Sequence, residues 1–177
     1  MLAAIEYAPG HREPIGINTV TLPEAALSVP QFIIANGAED RCGTQRPYSY
    51  FEKYHDRAPM TFMVQNKVPH CCVMNVTSIV LLWLDDVVNQ RFPATDKPLE
   101  TIDRKHAWEG FIKTEDSGVR SWKTEPVWSI ADAWIAPTSS ATAPAGAQDA
   151  GWLPSKRFAE AWLAFEKARE HPITPLE

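Results

Sequence analysis

The stretch VPQFIIANGAED, residues 29–40, joins an apolar segment to a turn that ends in an acidic residue. Its segment QFIIAN (31–36) is entered from Pro30 and ends at Gly37, a pattern that predicts a buried strand. Asp40 then falls in the loop after the strand, and loops at strand ends carry much of the chemistry of enzymes. The stretch therefore predicts a sheet with a functional group at its edge.

Two further segments have the composition of strands, MTFMVQN (60–66) and LAAIEYA (2–8). The segment QRPYSYFEKYHDRA (45–58), which precedes the first of them, places Tyr48 and Phe51 at helical spacing. A strand, a helix and a strand with short connections favour a parallel pair with a right-handed crossover. The first half of the chain therefore predicts the α/β fold class.

The second half of the chain has a more varied composition. The segment NVTSIVLLWLDDVVNQRF (75–92) has one apolar face and predicts a helix, with Asn75 as its cap. Beyond it the chain is charged and turn-rich, although VRSWKTEPVWSIADAWIA (119–136) predicts one or two strands. The tract TSSATAPAGAQDAG has the composition of a linker. The predicted divisions are an α/β core at 1–91, an aromatic-containing extension at 92–137, a flexible linker at 138–151 and a C-terminal amphipathic helix within 152–177.

Composition limits the classes of function. The chain has 177 residues, of which 45% are hydrophobic, enough for one domain with a core. A net charge of -5 argues against sequence-independent nucleic-acid binding, which needs a surplus of Lys and Arg. No apolar stretch reaches the roughly 20 residues of a membrane-spanning helix, and the N-terminus does not have the pattern of a signal peptide. We expect a soluble chain, without a membrane or nucleic-acid partner and of unknown localisation.

Asp40 and His70 are the candidate catalytic residues, since each follows a predicted strand and parallel strands end at the same edge of a sheet. A carboxylate beside a histidine orients the imidazole and stabilises the imidazolium formed when it takes a proton from a nucleophile. The alternative is that Asp40 caps a turn and that His70 is partly buried and bonded to backbone. The residues alone leave both interpretations open. We expect the remaining histidines to be solvated: His11, His55, His106 and His171.

The order of these segments resembles the C-terminal half of an α/β-hydrolase. In that family one strand ends in a Gly-x-x-Asp turn that carries the triad acid, and a later strand ends in a loop that carries the triad histidine. GAED matches the first at Gly37 and Asp40, and PH matches the second at His70, within residues 1–91. The resemblance, closest to esterases and polyester depolymerases, implies a partial hydrolase-like parallel sheet with flanking helices. An irregular C-terminal extension that ends in a helix would follow this sheet.

The Gly-x-Ser-x-Gly nucleophile elbow of that family has no counterpart in the sequence. Paired glycines, which permit the strained elbow, flank none of the serines considered: Ser28, Ser49, Ser78, Ser117 and Ser121. We therefore expect the serine of such an ester hydrolase to lie in a segment that these residues do not contain, and the chain alone to be inactive. The alternative is a non-catalytic folded remnant that acts as a binding or oligomerisation module.

The three cysteines lie close in sequence to the predicted acid and base. Cys42 is the alternative nucleophile, because a thiolate beside a histidine can attack a carbonyl. In an oxidising compartment a disulfide from Cys42 to Cys71 or Cys72 is the more favoured interpretation. The resemblance to feruloyl-esterase and tannase-like hydrolases implies instead that Cys71 pairs with a cysteine beside the missing serine.

We expect no cofactor and no metal. A zinc site formed by His70 with Cys42, Cys71 and Cys72 is disfavoured, because adjacent side chains on a backbone tend to point apart. The expected partners are a small ester substrate and either a second copy of the chain or the missing N-terminal half, since a sheet cut midway leaves an open edge.

Overall fold

The computed structural model describes residues 1–7, 21–38, 41, 43–69, 75–92, 97–122 and 124–171. Within these ranges six strands form one mixed sheet, accompanied by three α-helices. This confirms the predicted α/β class. None of the helices in these ranges is long and apolar enough to cross a bilayer.

The N-terminal half of the sheet is parallel, and its elements follow one another along the chain. They are β1 (Ala4–Tyr7), β2 (Gln31–Ala38), α1 (Gln45–Tyr54), β3 (Met60–Pro69) and α2 (Thr77–Arg91). β1 pairs with β2 and β2 pairs with β3, both in parallel. α1 connects β2 to β3, so the strand, helix and strand order expected from the sequence is confirmed.

The apolar faces of this half agree with the sequence pattern. β2 is buried from its first residue through Gly37, as a strand covered on both sides should be. α2 buries Ile79, Trp83 and Val87 on one stripe. The helix begins at Thr77 with Val76 in the cap position, one residue after the predicted cap Asn75.

The C-terminal half of the sheet is antiparallel. Its elements are β4 (Trp108–Arg120), β5 (Pro126–Pro137), β6 (Gln148–Leu153) and α3 (Lys156–Glu166). The strand order across the sheet is β1-β2-β3-β6-β4-β5, so β6 lies between the two halves. The extension predicted to be irregular is therefore regular over these three strands. The final helix is confirmed, with Ser155 as its cap through a 3.0 Å bond from the N–H of Phe158.

Residues 148–151 belong to β6, which corrects the prediction of a linker over this part of 138–151. The small residues of the tract 138–151 predicted a flexible linker. Gly151, however, has to be small because the backbone of Met60 lies close to it. Its φ is +83°, and a Cβ there would lie 2.3 Å from the carbonyl oxygen of Met60. Gly151 is also the residue that pairs with Thr61, the one register pair recorded between β6 and β3. The small residue thus allows the two halves of the sheet to meet.

Beyond Thr61 the open edge of β3 is bonded by side chains of α3. The indole N–H of Trp162 donates to the carbonyl oxygen of Phe62 at 3.0 Å. The backbone N–H of Val64 donates to Oε1 of Glu166 at 2.8 Å. Helix α3 therefore takes the place of a neighbouring strand along this part of β3.

One hydrophobic cluster runs through both halves of the sheet. It contains Phe32 of β2 and Phe62 of β3 together with Trp152 of β6 and Trp162 of α3, all of them fully buried. The C-terminal strands and helix thus complete a core that the parallel strands share.

Candidate functional site

β2 and β3 end side by side at one edge of the sheet. Their register runs from Gln31 opposite Met60 to Asn36 opposite Gln65, and it resumes with Ala38 opposite Pro69. Neighbouring strands are about 4.8 Å apart, so the chain leaves both strands from nearly the same place. This edge is the candidate functional site.

The register contains a bulge just before both strands end. One residue of β2, Gly37, lies opposite three residues of β3, including Lys67 with a φ of +61°. A Cβ on Gly37 would lie 3.1 Å from the carbonyl oxygen of Gln65, so glycine allows this close contact. Bulges occur often beside active sites, and non-glycine residues with positive φ cluster at functional positions. The bulge brings the end of β3 back to β2.

Two buried amide side chains bridge the bulge. Nε2 of Gln65 donates to Oδ1 of Asn36 at 2.8 Å, and Nδ2 of Asn36 donates to the carbonyl oxygen of Pro69 at 2.9 Å. Asn36 is 1% exposed and Gln65 is fully buried. Their bonds therefore tie the end of β3 to β2. The bond between the two amides is buried, whereas the one to Pro69 lies at the exposed end of the strand.

A third amide, that of Asn66, joins β3 to the C-terminal half. Its Oδ1 accepts from the N–H of Ile130 at 2.8 Å, and its Nδ2 donates to the carbonyl oxygen of Ile130 at 3.3 Å. Nδ2 also donates to the carbonyl oxygen of Ala168 at 2.9 Å, just beyond α3. A single side chain thus forms bonds typical of a strand partner and of a helix cap.

Two buried titratable groups lie near Asn66. Glu166 is 1% exposed, burial raises the pKa of its carboxyl well above 4.5, and its Oε2 has no hydrogen-bond partner among the described residues. His171 is 7% exposed, which corrects the expectation that it is solvated. Its ring stacks on Phe165 at 3.9 Å, and burial lowers the pKa of its imidazole.

The end of the β4–β5 hairpin lies against the start of α1, in the segment that follows β2. The N–H of Trp128 donates to Oγ1 of Thr44 at 2.9 Å, and its indole N–H donates to Oε1 of Gln45 at 3.1 Å. Cβ of Ser121 lies 3.8 Å from the position that a Cβ on Gly43 would occupy. The hydroxyl of Ser121 is buried, with no hydrogen-bond partner in the described part of the chain. The hairpin therefore borders the candidate site.

The residues predicted to carry chemistry lie outside the described residues: Asp40, His70, Cys42, Cys71 and Cys72. The structure thus bears on them through their neighbours in sequence. Ala38 precedes Asp40 by two residues and Pro69 immediately precedes His70, and these two neighbours form a register pair. Within the described ranges no group of three His, Cys, Asp or Glu side chains is arranged to hold a metal ion.

Asn36, Gln65 and Asn66 were not recognised as site residues from the sequence. A signal was present, because each predicted strand segment runs through apolar residues into amides, as IIAN and MVQN. Buried amides need partners, so amides at the ends of two buried strands indicate a polar network.

The comparisons with known proteins gave no match to this chain, whether with family models, curated proteins or solved structures.

Proposed function

We propose that the chain carries the acid and base of an ester (acyl) hydrolase of α/β-hydrolase type, with Asp40 as the acid and His70 as the base. The supporting observation is the register pair between Ala38 and Pro69, the described neighbours of these residues. The strands β1, β2 and β3 follow one another in the chain and lie side by side in parallel, and this arrangement agrees with the same hypothesis.

The chemistry follows from the roles of the two groups. The imidazole of His70 takes the proton of a serine hydroxyl as the serine oxygen attacks the ester carbonyl carbon. The carboxylate of Asp40 accepts a hydrogen bond from the imidazolium and stabilises it. The imidazolium then returns the proton to the alcohol as the ester bond breaks, and water releases the acyl group by the same route. The serine is supplied from outside these 177 residues.

A titration of His70 tests the acid and base pair directly. The imidazole signals are followed by NMR over pH 4 to 9, with His70→Gln to assign the signal. We expect Asp40→Asn to move the titration midpoint of His70 to lower pH, because a nearby carboxylate favours the charged imidazole. Asp103→Asn is the control, since the carboxylate of Asp103 pairs with another histidine, His106, at 2.6 Å. Equal midpoints in the unaltered chain and Asp40→Asn would contradict the proposal.

Hydrolysis of p-nitrophenyl acetate tests where the nucleophile lies. We expect no turnover by the folded chain, with or without His70→Ala. Turnover that His70→Ala abolishes would mean that the nucleophile is in the chain, contrary to the proposal. Cys42→Ala and Ser121→Ala would then identify it, since Cys42 is the predicted alternative and Ser121 borders the candidate site.

The alternative, a non-catalytic binding or oligomerisation module, is favoured by a different observation. β6 and α3 cover the edge of β3, so the parallel strands share a core without further hydrolase strands. Among the described residues, no strand pairs with the outer edge of β1. Sedimentation of the folded chain tests this function: a stable oligomer with an unchanged His70 midpoint in Asp40→Asn would favour it.

A further inference from the structure

The last described residue before His70, Pro69, is held by a bond from the buried side chain of Asn36. The carbonyl oxygen of Pro69 accepts from Nδ2 of Asn36 at 2.9 Å. This carbonyl belongs to the same planar peptide group as the backbone nitrogen of His70. A bond that orients the carbonyl therefore orients the point from which His70 begins.

The direction of this bond is determined by a second amide. Oδ1 of Asn36 accepts from Nε2 of Gln65 at 2.8 Å, so Nδ2 of Asn36 must face Pro69. If the Asn36 amide were reversed, its NH₂ group would face that of Gln65, and its oxygen would face the oxygen of Pro69. The first contact would leave a buried donor unpaired and the second would bring two acceptors together, so the reversed amide is disfavoured.

The bond from Asn36 to Pro69 crosses the bulge between β2 and β3. With one residue of β2 opposite three of β3, the regular ladder is interrupted between Asn36 and Pro69. Lys67 adopts a positive φ within the interruption, a conformation that is unfavourable outside glycine. The Asn36 side chain spans this gap and returns the end of β3 to β2.

We propose that Asn36 is a positioning residue for His70: it holds the Pro69–His70 peptide against β2, the strand that precedes Asp40 in the chain, and Gln65 orients its amide. This inference rests on the proposed acid and base pair. Asn36 has no part in the chemical step, and it acts through the backbone of His70.

The His70 titration distinguishes this role from a purely structural one. We expect Asn36→Leu to move the His70 midpoint to lower pH, by at least half of the change in Asp40→Asn, and Gln65→Met to move it less in the same direction. Asn66→Leu is the matched control, because the Asn66 amide is equally buried but binds Ile130 and Ala168. Where Asp40→Asn lowers the midpoint, an unchanged midpoint in folded Asn36→Leu, or an equal change in Asn66→Leu, would overturn the inference. If Asn36→Leu does not fold, Gln65→Met decides by the same criterion.

Hydrogen exchange of the His70 backbone N–H separates this inference from the proposed function. We expect exchange to rise by about tenfold in Asn36→Leu, because the Pro69–His70 peptide then loses the hydrogen bond that its carbonyl accepts. Asp40→Asn should leave that exchange rate unchanged. Faster exchange without any effect of Asp40→Asn on the midpoint would retain the positioning and reject the acid and base pair. Unchanged exchange in Asn36→Leu would reject the positioning.

Discussion

The two sides of β3 are bonded in different ways. On the β2 side a parallel ladder extends without interruption from Gln31 opposite Met60 to Asn36 opposite Gln65. On the β6 side one register pair, Thr61 with Gly151, is followed by side-chain bonds from α3. One side thus depends on backbone groups that almost any residue supplies, whereas the other depends on particular side chains.

This difference predicts where the chain tolerates substitution. A backbone ladder persists when one side chain changes, provided that the core remains filled. Bonds from Trp162, Glu166 and Asn66 are lost with the residue that makes them, and they leave buried partners unpaired. The largest effects should therefore occur where the two halves of the sheet meet.

Substitution of Gly151 should have the largest effect. Gly151→Ala should lower the free energy of unfolding by about 3 kcal/mol or more, because its Cβ would lie 2.3 Å from the carbonyl oxygen of Met60 and near the Phe51 ring. Urea denaturation measures the change. Gly146→Ala is the matched control: Gly146 also has a positive φ, +76°, but a Cβ there would meet no other atom within 4 Å beyond its chain neighbours, so the cost should be about 1–2 kcal/mol. Equal costs at the two glycines would show that the halves do not need this close approach.

Asn66→Ala should lower the free energy of unfolding by about 2–4 kcal/mol, because it leaves the N–H of Ile130 and the carbonyl oxygen of Ala168 unpaired. Thermal and urea denaturation provide the measurement. Asn89→Ala, at an exposed asparagine of α2, should change stability by less than about 0.5 kcal/mol. A small loss at Asn66 would mean that water replaces its bonds.

Trp162→Phe should have a smaller effect, about 1–2 kcal/mol, because it removes the donor to the carbonyl oxygen of Phe62 but keeps an aromatic ring in the core. Trp122→Phe serves as the control for ring size, since Trp122 is 62% exposed and its replacement should be nearly neutral. If both variants have the stability of the unaltered chain, this indole bond does not hold α3 to β3.

Glu166→Gln should have the smallest effect, and that effect should depend on pH. Burial raises the pKa of the Glu166 carboxyl above its ordinary 4.5 in the folded chain, so above that pH the unfolded chain releases a proton that the folded chain retains. Rising pH therefore destabilises the unaltered chain relative to Glu166→Gln, whose side-chain oxygen can still accept from Val64. Urea denaturation between pH 4 and 8 measures this trend, with the exposed Glu160→Gln as control. A pH-independent difference would contradict the prediction.

The parallel half could be predicted from the sequence because its signals are local. QFIIAN and MTFMVQN are buried apolar runs, and they form β2 and β3. Ile79, Trp83 and Val87 of the predicted stripe of α2 are buried, whereas Val80 and Val88 are partly buried. In each case the apolar pattern of a short segment indicates which of its residues are buried in the core.

The antiparallel half was harder to predict because its strands depend on distant partners. β4 contains KTEDSG and is largely exposed toward its end, so its sequence does not have the apolar alternation of a half-buried strand. It is a strand because it pairs with β5 along most of its length. β6 was not predicted for a different reason: it begins in a tract whose small residues are also typical of linkers. Only the contact with β3 shows why a glycine is needed at position 151.

The candidate site likewise combines features that the local sequence predicts with features that depend on distant residues. The sequence by itself determined that Asp40 and His70 follow two buried strands, because the apolar composition of a strand is a local property. It also indicated amides at the ends of those strands without showing their partners.

Only the tertiary structure decided that Ala38 lies opposite Pro69, that a bulge precedes them, and that the amide of Asn36 reaches across to the carbonyl of Pro69. Register and hydrogen-bond partners depend on residues distant in sequence, and the free energy of burying an unpaired polar group selects among them only once the chain has folded.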